Sequence, residues 1–217
     1  MEKTLKKDFR GIVGVHKPKG MTSHDVVNVV RRITGERRVG HAGTLDPLAE
    51  GVLVVGIGRE FTKKLSVEVK KEKEYVAEVM LGATSSTDDS EGEIKKFVNF
   101  QIPIFKDMAY SIKKFEGEIW QTPPLYSAVK VKGKEAYKYA RRGKEVKLEP
   151  RKREVKEIEI IDYMWPVLKL RIVTGAGVYI RSIARDLGEK LGVGGYLKSL
   201  VRTRVGNFEI SDCVNLD

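Results

Sequence analysis

The 217 residues include 41 Lys and Arg against 30 Asp and Glu, a net charge of +11, with 41% apolar and 33% charged residues. That apolar share supports a folded core and excludes the composition of a disordered chain, while the surplus of cations points to a polyanionic partner, nucleic acid first. One cysteine, Cys213, excludes a disulfide framework, a thiolate metal cluster and a Cys-x-x-Cys redox pair. No apolar run approaches the roughly 18 residues that suggest a transmembrane helix, and the N-terminal apolar stretch is too short and broken for a signal peptide. The sequence therefore predicts a cytoplasmic protein with no membrane attachment.

In chain order, Gly11 to His16 predicts a short apolar strand. Thr22 or Ser23 can cap a helix that carries Val26, Val27, Val30 and Ile33 and ends at Gly35. GVLVVGIG, from Gly51 to Gly58, has the pattern of a buried strand. Glu72 to Leu81 alternates, with Tyr75, Ala77, Val79 and Leu81 on one face and Glu74 and Glu78 on the other. Phe105 to Phe115 predicts a helix, and Val155 to Ile161 with Val167 to Val173 predicts a hairpin. Val178 to Leu191 places Ile180, Ile183, Ala184, Leu187 and Leu191 at helical spacing before Gly192, and two more strands reach about Ile210. The mixture predicts an α+β fold: a mixed, largely antiparallel β-sheet core flanked by helices, as a single domain over 1–217.

The charge is concentrated. Ser127 to Lys156 has a net charge of +8, leaving +3 for the other 187 residues, and Tyr137 and Tyr139 are interleaved with its cations. Such a segment suits RNA, where cations meet phosphates and rings stack on splayed bases, although Glu/Lys pairing on a solvated helix face is the plainer use of these residues. No phosphate-binding glycine loop or nucleophile elbow occurs, and His16, His24 and His41 lack zinc spacing. Any chemistry falls to carboxylates, hydroxyls and cations.

Two stretches could hold it. In GHAGTLDPLAEG, from Gly40 to Gly51, Asp46 stands before a proline at the entrance to the buried strand. Pro47 biases it to an extended backbone, so Asp46 can serve as a positioned nucleophile or simply accept turn hydrogen bonds. In TGAGVYIRSIARD, from Thr174 to Asp186, Arg181 falls in a first helical turn, where the dipole disfavours a cation; it therefore calls for a carboxylate or phosphate partner.

Together these stretches resemble the bacterial tRNA pseudouridine-55 synthase family, the TruB type. HKPKGMTS (His16 to Ser23) followed by GHAGTLDPLAEGVL carries the most specific match; KEYVAEVMLGATSSTDDSEG, FEGEIWQTPPLYSAVKVKGKEAYKYARRGKEV and GVYIRSIARDLGEKLG follow in family order. The resemblance runs from about Gly11 to Ile210. It implies a pseudouridine synthase fold with a basic RNA-clasping insertion at about 121–155. It also implies an isomerase without cofactor or metal, which detaches uracil from its ribose, rotates it and rejoins it through C5 after flipping it from an RNA loop.

Residue by residue, the resemblance makes Asp46 the essential carboxylate. Tyr75 becomes the residue that stacks on the base and helps remove the C5 proton, and Arg181 the partner that keeps Asp46 ionised. His41 contacts the RNA loop, Tyr179 and Leu200 line the uracil pocket, and Lys17 belongs to a structural, RNA-proximal motif. Lys130, Lys132, Arg141 and Arg142 are the RNA-binding cations of the insertion. The implied partner is the tRNA T-arm, with a monomer and no obligatory protein partner. Two departures stand out: Val178 replaces a small hydroxyl residue, and the chain ends at Asp217 without the family's usual C-terminal accessory domain. Two other readings share these residues, a guide-RNA-directed synthase subunit and a non-catalytic tRNA-binding chaperone.

Overall fold

The structure, a computed structural model, describes residues 5–144 and 146–216. Residues 1–4, 145 and 217 of the expected domain, 145 also within the expected insertion, lie outside the described residues. The chain divides into two compact units. One is Met1–Val76 with Val173–Ala176 and Leu200–Asp217, the other Ala77–Ile172 with Gly177–Ser199.

In the first unit, strand β1 (Gly11–Lys17) and helix α1 (Ser23–Thr34) form where the apolar pattern places them. Thr22 is the N-cap. Its hydroxyl accepts from the Asp25 N–H while the Asp25 carboxylate accepts from the Thr22 N–H, a reciprocal capping box. Strand β2 (Val39–Ala42) pairs antiparallel with β3 (Ala49–Ile57), which also pairs antiparallel with β1 from Gly11↔Ile57 to Lys17↔Gly51. Helix α2 (Arg59–Lys70) follows. The apolar pattern predicts neither β2 nor α2.

Strand β3 is buried on both faces, which explains its continuous apolar run. Leu53, Val55 and Ile57 pack with Val26, Val27 and Val30 of α1 and with Val15. Val52 and Val54 pack on the opposite side with Leu65 of α2 and Val205.

The alternation at 72–81 becomes β4 (Lys73–Leu81), buried at every second residue. The second unit continues with β5 (Ala83–Ser85), β6 (Ile94–Lys96), α3 (Phe105–Lys113) and β7 (Gly117–Gln121). The small hairpin β8 (Lys130–Val131) and β9 (Lys134–Glu135) leads into the short helix α4 (Ala136–Ala140). Then come β10 (Arg151–Met164), β11 (Val167–Thr174), α5 (Ile180–Lys190) and β12 (Gly195–Val205). Strands β12, β4, β11, β10 and β7 are successive neighbours in this unit's sheet.

Strand β10 is longer than its apolar core predicts, because its first five residues, Arg151 to Val155, pair antiparallel with β7. Back in the first unit, the second half of β12 runs parallel to β3, with Leu200↔Ala49 and Arg202↔Gly51. Its end pairs antiparallel with β13 (Phe208–Glu209), and a short 3-10 turn (Ile210–Asp212) follows. The class is mixed α+β with a largely antiparallel sheet, as the sequence predicts.

Candidate active site

The turn that bears Asp46 joins β2 to β3, and buried polar groups hold it residue by residue. The Arg202 guanidinium donates from Nη2 to the Gly43 carbonyl at 3.0 Å. The Ser23 hydroxyl accepts from the Leu45 N–H at 2.9 Å and donates to the Leu45 carbonyl at 3.0 Å. The Ala49 N–H donates to the Asp46 carbonyl at 3.1 Å, and the Gly20 N–H donates to the Pro47 carbonyl at 2.8 Å. Leu45 and Leu48 are buried on either side of the half-buried Asp46. A carboxylate on so constrained a turn has the fixed direction that a positioned nucleophile needs.

Tyr75 lies on the buried face of β4. Its phenol acts electrostatically on Arg202, a guanidinium only 2% exposed that donates from Nε to the Val52 carbonyl at 2.7 Å. Burial pulls the Arg202 pKa down, while Tyr75 and the Asp46 carboxylate push it back up. Arg202 is thus a cation acting on Asp46 within this unit, and nothing in the sequence pattern marks it. Leu200, buried two residues earlier, shares its strand face and pairs with Ala49 at the exit of the turn.

His41 lies in β2, half-buried, with its Nδ1 buried and without a hydrogen-bond partner. Burial first, then the Arg202 and His24 charges, lower its pKa and favour the neutral ring. Lys17, expected in a structural, RNA-proximal motif, has a buried ammonium that donates to the Pro18 carbonyl at 2.9 Å and the Met21 carbonyl at 2.6 Å. It closes the Pro18–Gly20 turn, whose Gly20 N–H in turn holds Pro47.

In the second unit, Arg181 is buried in the first turn of α5. It pairs with the buried Asp89 carboxylate at 3.3 Å and donates to the Thr87 carbonyl at 3.3 Å and the Tyr126 carbonyl at 2.9 Å. The carboxylate that a cation at a helix start calls for is therefore present within the unit. Tyr179 is the N-cap of α5. The buried Gln121 amide grips it at both main-chain groups, donating to its carbonyl at 3.1 Å and accepting from its N–H at 2.8 Å. Ser182 and Arg185 both donate to the Thr122 carbonyl. Gln121, Ser182 and Arg185 are further residues that sequence reasoning missed.

The insertion presents its cations to solvent: Lys130, Lys132, Arg141 and Arg142 are all exposed. The Arg141 guanidinium stacks 5.4 Å from the centre of the Tyr137 ring. Lys134, Lys138, Tyr139, Arg142 and Lys144 line a cleft of about 400 Å³. Among the described residues no group of three or more His, Cys, Asp or Glu is placed to hold a metal ion, and no helix is long and apolar enough to cross a membrane.

Two family profiles match the chain. That of the TruB family pseudouridylate synthase N-terminal domain covers residues 31–180, and that of the tRNA pseudouridylate synthase B C-terminal domain covers residues 181–217. The second range here comprises most of α5 together with β12, β13 and the 3-10 turn. The tRNA pseudouridine synthase B of Dehalococcoides mccartyi (strain CBDB1) is 47% identical over 208 residues, 94% of this chain and 68% of that protein. The protein of the same name from Mycobacterium tuberculosis (strain ATCC 25618 / H37Rv) is 45% identical over 212 residues, 95% and 70% of the two chains.

Among solved structures, a chain of a Cbf5-Nop10-Gar1 complex superposes with a TM-score of 0.71 at 33% identity. The match covers 92% of this chain and 50% of that one, so the present chain spans about half the length of that structural relative. The fixed Asp46 turn, the order of the motifs and these matches agree: the chain belongs to the TruB family of pseudouridylate synthases.

Proposed function

We propose that the chain isomerises uridine-55 in the T-loop of tRNA to pseudouridine, with Asp46 as nucleophile and without a cofactor. The observation that carries this reading is the Asp46 turn, held at Gly43, Leu45, Asp46 and Pro47, with Tyr75 and Arg202 in the same unit. The bond from uracil N1 to the ribose C1′ breaks, the base turns, and C5 bonds to C1′. The hydrogen displaced from C5 leaves as a proton, which Tyr75 takes, and N1 gains a proton in its place. His41 and Leu200 contact the flipped nucleotide. Lys17 serves by holding the turn beneath Pro47. Lys130, Lys132, Arg141 and Arg142 bind tRNA phosphates. The enzyme works in the cytoplasm as a monomer and needs no protein partner.

Tritium release from tRNA labelled at C5 of uridine tests the reading. Wild type releases tritium and Asp46→Asn releases none while still binding tRNA; retention of the label by both removes the assignment. The likeness to a Cbf5 chain favours one second reading, a guide-RNA-directed subunit. Turnover of a bare T-arm stem-loop by the protein alone excludes it.

A further inference from the structure

Arg202 presents a physical puzzle. A guanidinium is costly to strip of water, and a hydrophobic side chain of similar volume would fill the space at less expense. The parallel pairing of β12 with β3 is made by main chain and does not need it. Yet Arg202 is buried, with Nε on the Val52 carbonyl and Nη2 on the Gly43 carbonyl, and it interacts with the Tyr75 phenol. Gly43 is three residues from Asp46. A Cβ at that glycine would lie 3.5 Å from Nη1, so the loop is in contact with the guanidinium plane.

We propose that Arg202 is a positioning residue of the isomerisation, a rigid plate that fixes the Tyr75 phenol relative to the loop carrying Asp46. This rests on the function proposed above. The need is geometric. The carboxylate and the group that takes the C5 proton must both address one rotating uracil, and a misplacement of about 1 Å costs on the order of a hundredfold in rate. Arginine suits the task because its donors lie in one plane at fixed angles. A lysine ammonium is a flexible point donor and cannot hold its acceptors at such fixed angles. Arg202 acts only through Tyr75 and the loop and touches no substrate.

The experiment compares single-turnover rates on a T-arm stem-loop carrying hydrogen or deuterium at C5 of the target uridine. It uses wild type and Arg202→Lys, with Arg202→Gln as the second variant should Arg202→Lys unfold. With Tyr75 loosened, proton removal slows more than the other steps. The rate therefore falls by about tenfold or more, RNA affinity stays within about twofold, and the deuterium isotope effect rises by about twofold over wild type. A residue that merely packs would lower the fraction of active protein and leave the isotope effect at its wild-type value; that result overturns the proposal while the function stands. If wild type itself forms no pseudouridine, the functional reading fails and takes this role with it.

Discussion

Gly51 and Arg202 face each other across the parallel pair of β3 and β12, and the approach leaves no room for a side chain on the glycine. A Cβ at Gly51 would overlap the Arg202 carbonyl oxygen and lie 2.9 Å from its nitrogen, and the glycine has a φ of +106°, which other residues rarely adopt. Gly51→Ala therefore destabilises the fold by about 2 kcal/mol or more. Urea unfolding reads this as a lower midpoint with an unchanged slope.

Ser23 makes two hydrogen bonds to one residue of the Asp46 turn, and both Ser23 and Leu45 are buried. Ser23→Ala leaves the Leu45 N–H and carbonyl without that partner, at a cost of about 1–3 kcal/mol in stability. The expected kinetic signature is a lower kcat with KM nearly unchanged, since the turn orients Asp46 and is not the main hold on RNA.

Lys73 gives a pH test. Its buried ammonium donates to the Val69 and Lys71 carbonyls at the end of α2. Burial, then the Arg202 charge, lowers its pKa from 10.5 to about 8, against a smaller opposite pull from Glu68. Between those values the unfolded chain binds more protons than the folded one, so this group's contribution to stability rises with pH. The penalty is full below about pH 8 and is relieved as pH approaches the unfolded value. The unfolding free energy of wild type should gain about 1–2 kcal/mol on that of Lys73→Met between pH 8 and 10. A constant difference across that range would refute the assignment.

Under the proposed function, the cleft formed by Lys134, Lys138, Arg142 and Lys144 supplies part of the ionic hold on tRNA. Neutralising Lys134, Lys138 and Arg142 together should weaken tRNA binding and flatten the slope of log Kd against log salt by about 0.7–0.9 for each phosphate that the variant leaves unneutralised. Titrations at several salt concentrations measure this. Parallel lines for the two proteins would place the phosphate-binding cations elsewhere.

Much of the fold was legible because the sequence is locally consistent with it. The alternation of β4, the all-apolar run of β3 and the Thr22/Asp25 capping box each point to one structure. Helix α2 escaped because it buries only Leu65 and Glu68 and leaves Val67 and Val69 exposed, so its apolar residues do not mark the face that packs. In the site, the Asp46 turn could be found from its glycine and proline. Arg202, one of 41 cations, looks like any solvated strand residue until the folded chain supplies the Val52 and Gly43 carbonyls as its partners. Ser23 reads as a helix cap, but Thr22 takes that task and leaves the serine to Leu45. The two carbonyls that take the Lys17 ammonium escaped because they belong to a turn with no periodic signal.

The grip of α5 on the chain at 121–126 carries a mechanical consequence. Gln121 is locked to Tyr179, Thr122 to Ser182 and Arg185, and Tyr126 to Arg181, so this stretch is fastened to the start of α5. Load on this stretch is therefore borne by the start of α5, whose Arg181, Ser182 and Arg185 side chains take its carbonyls.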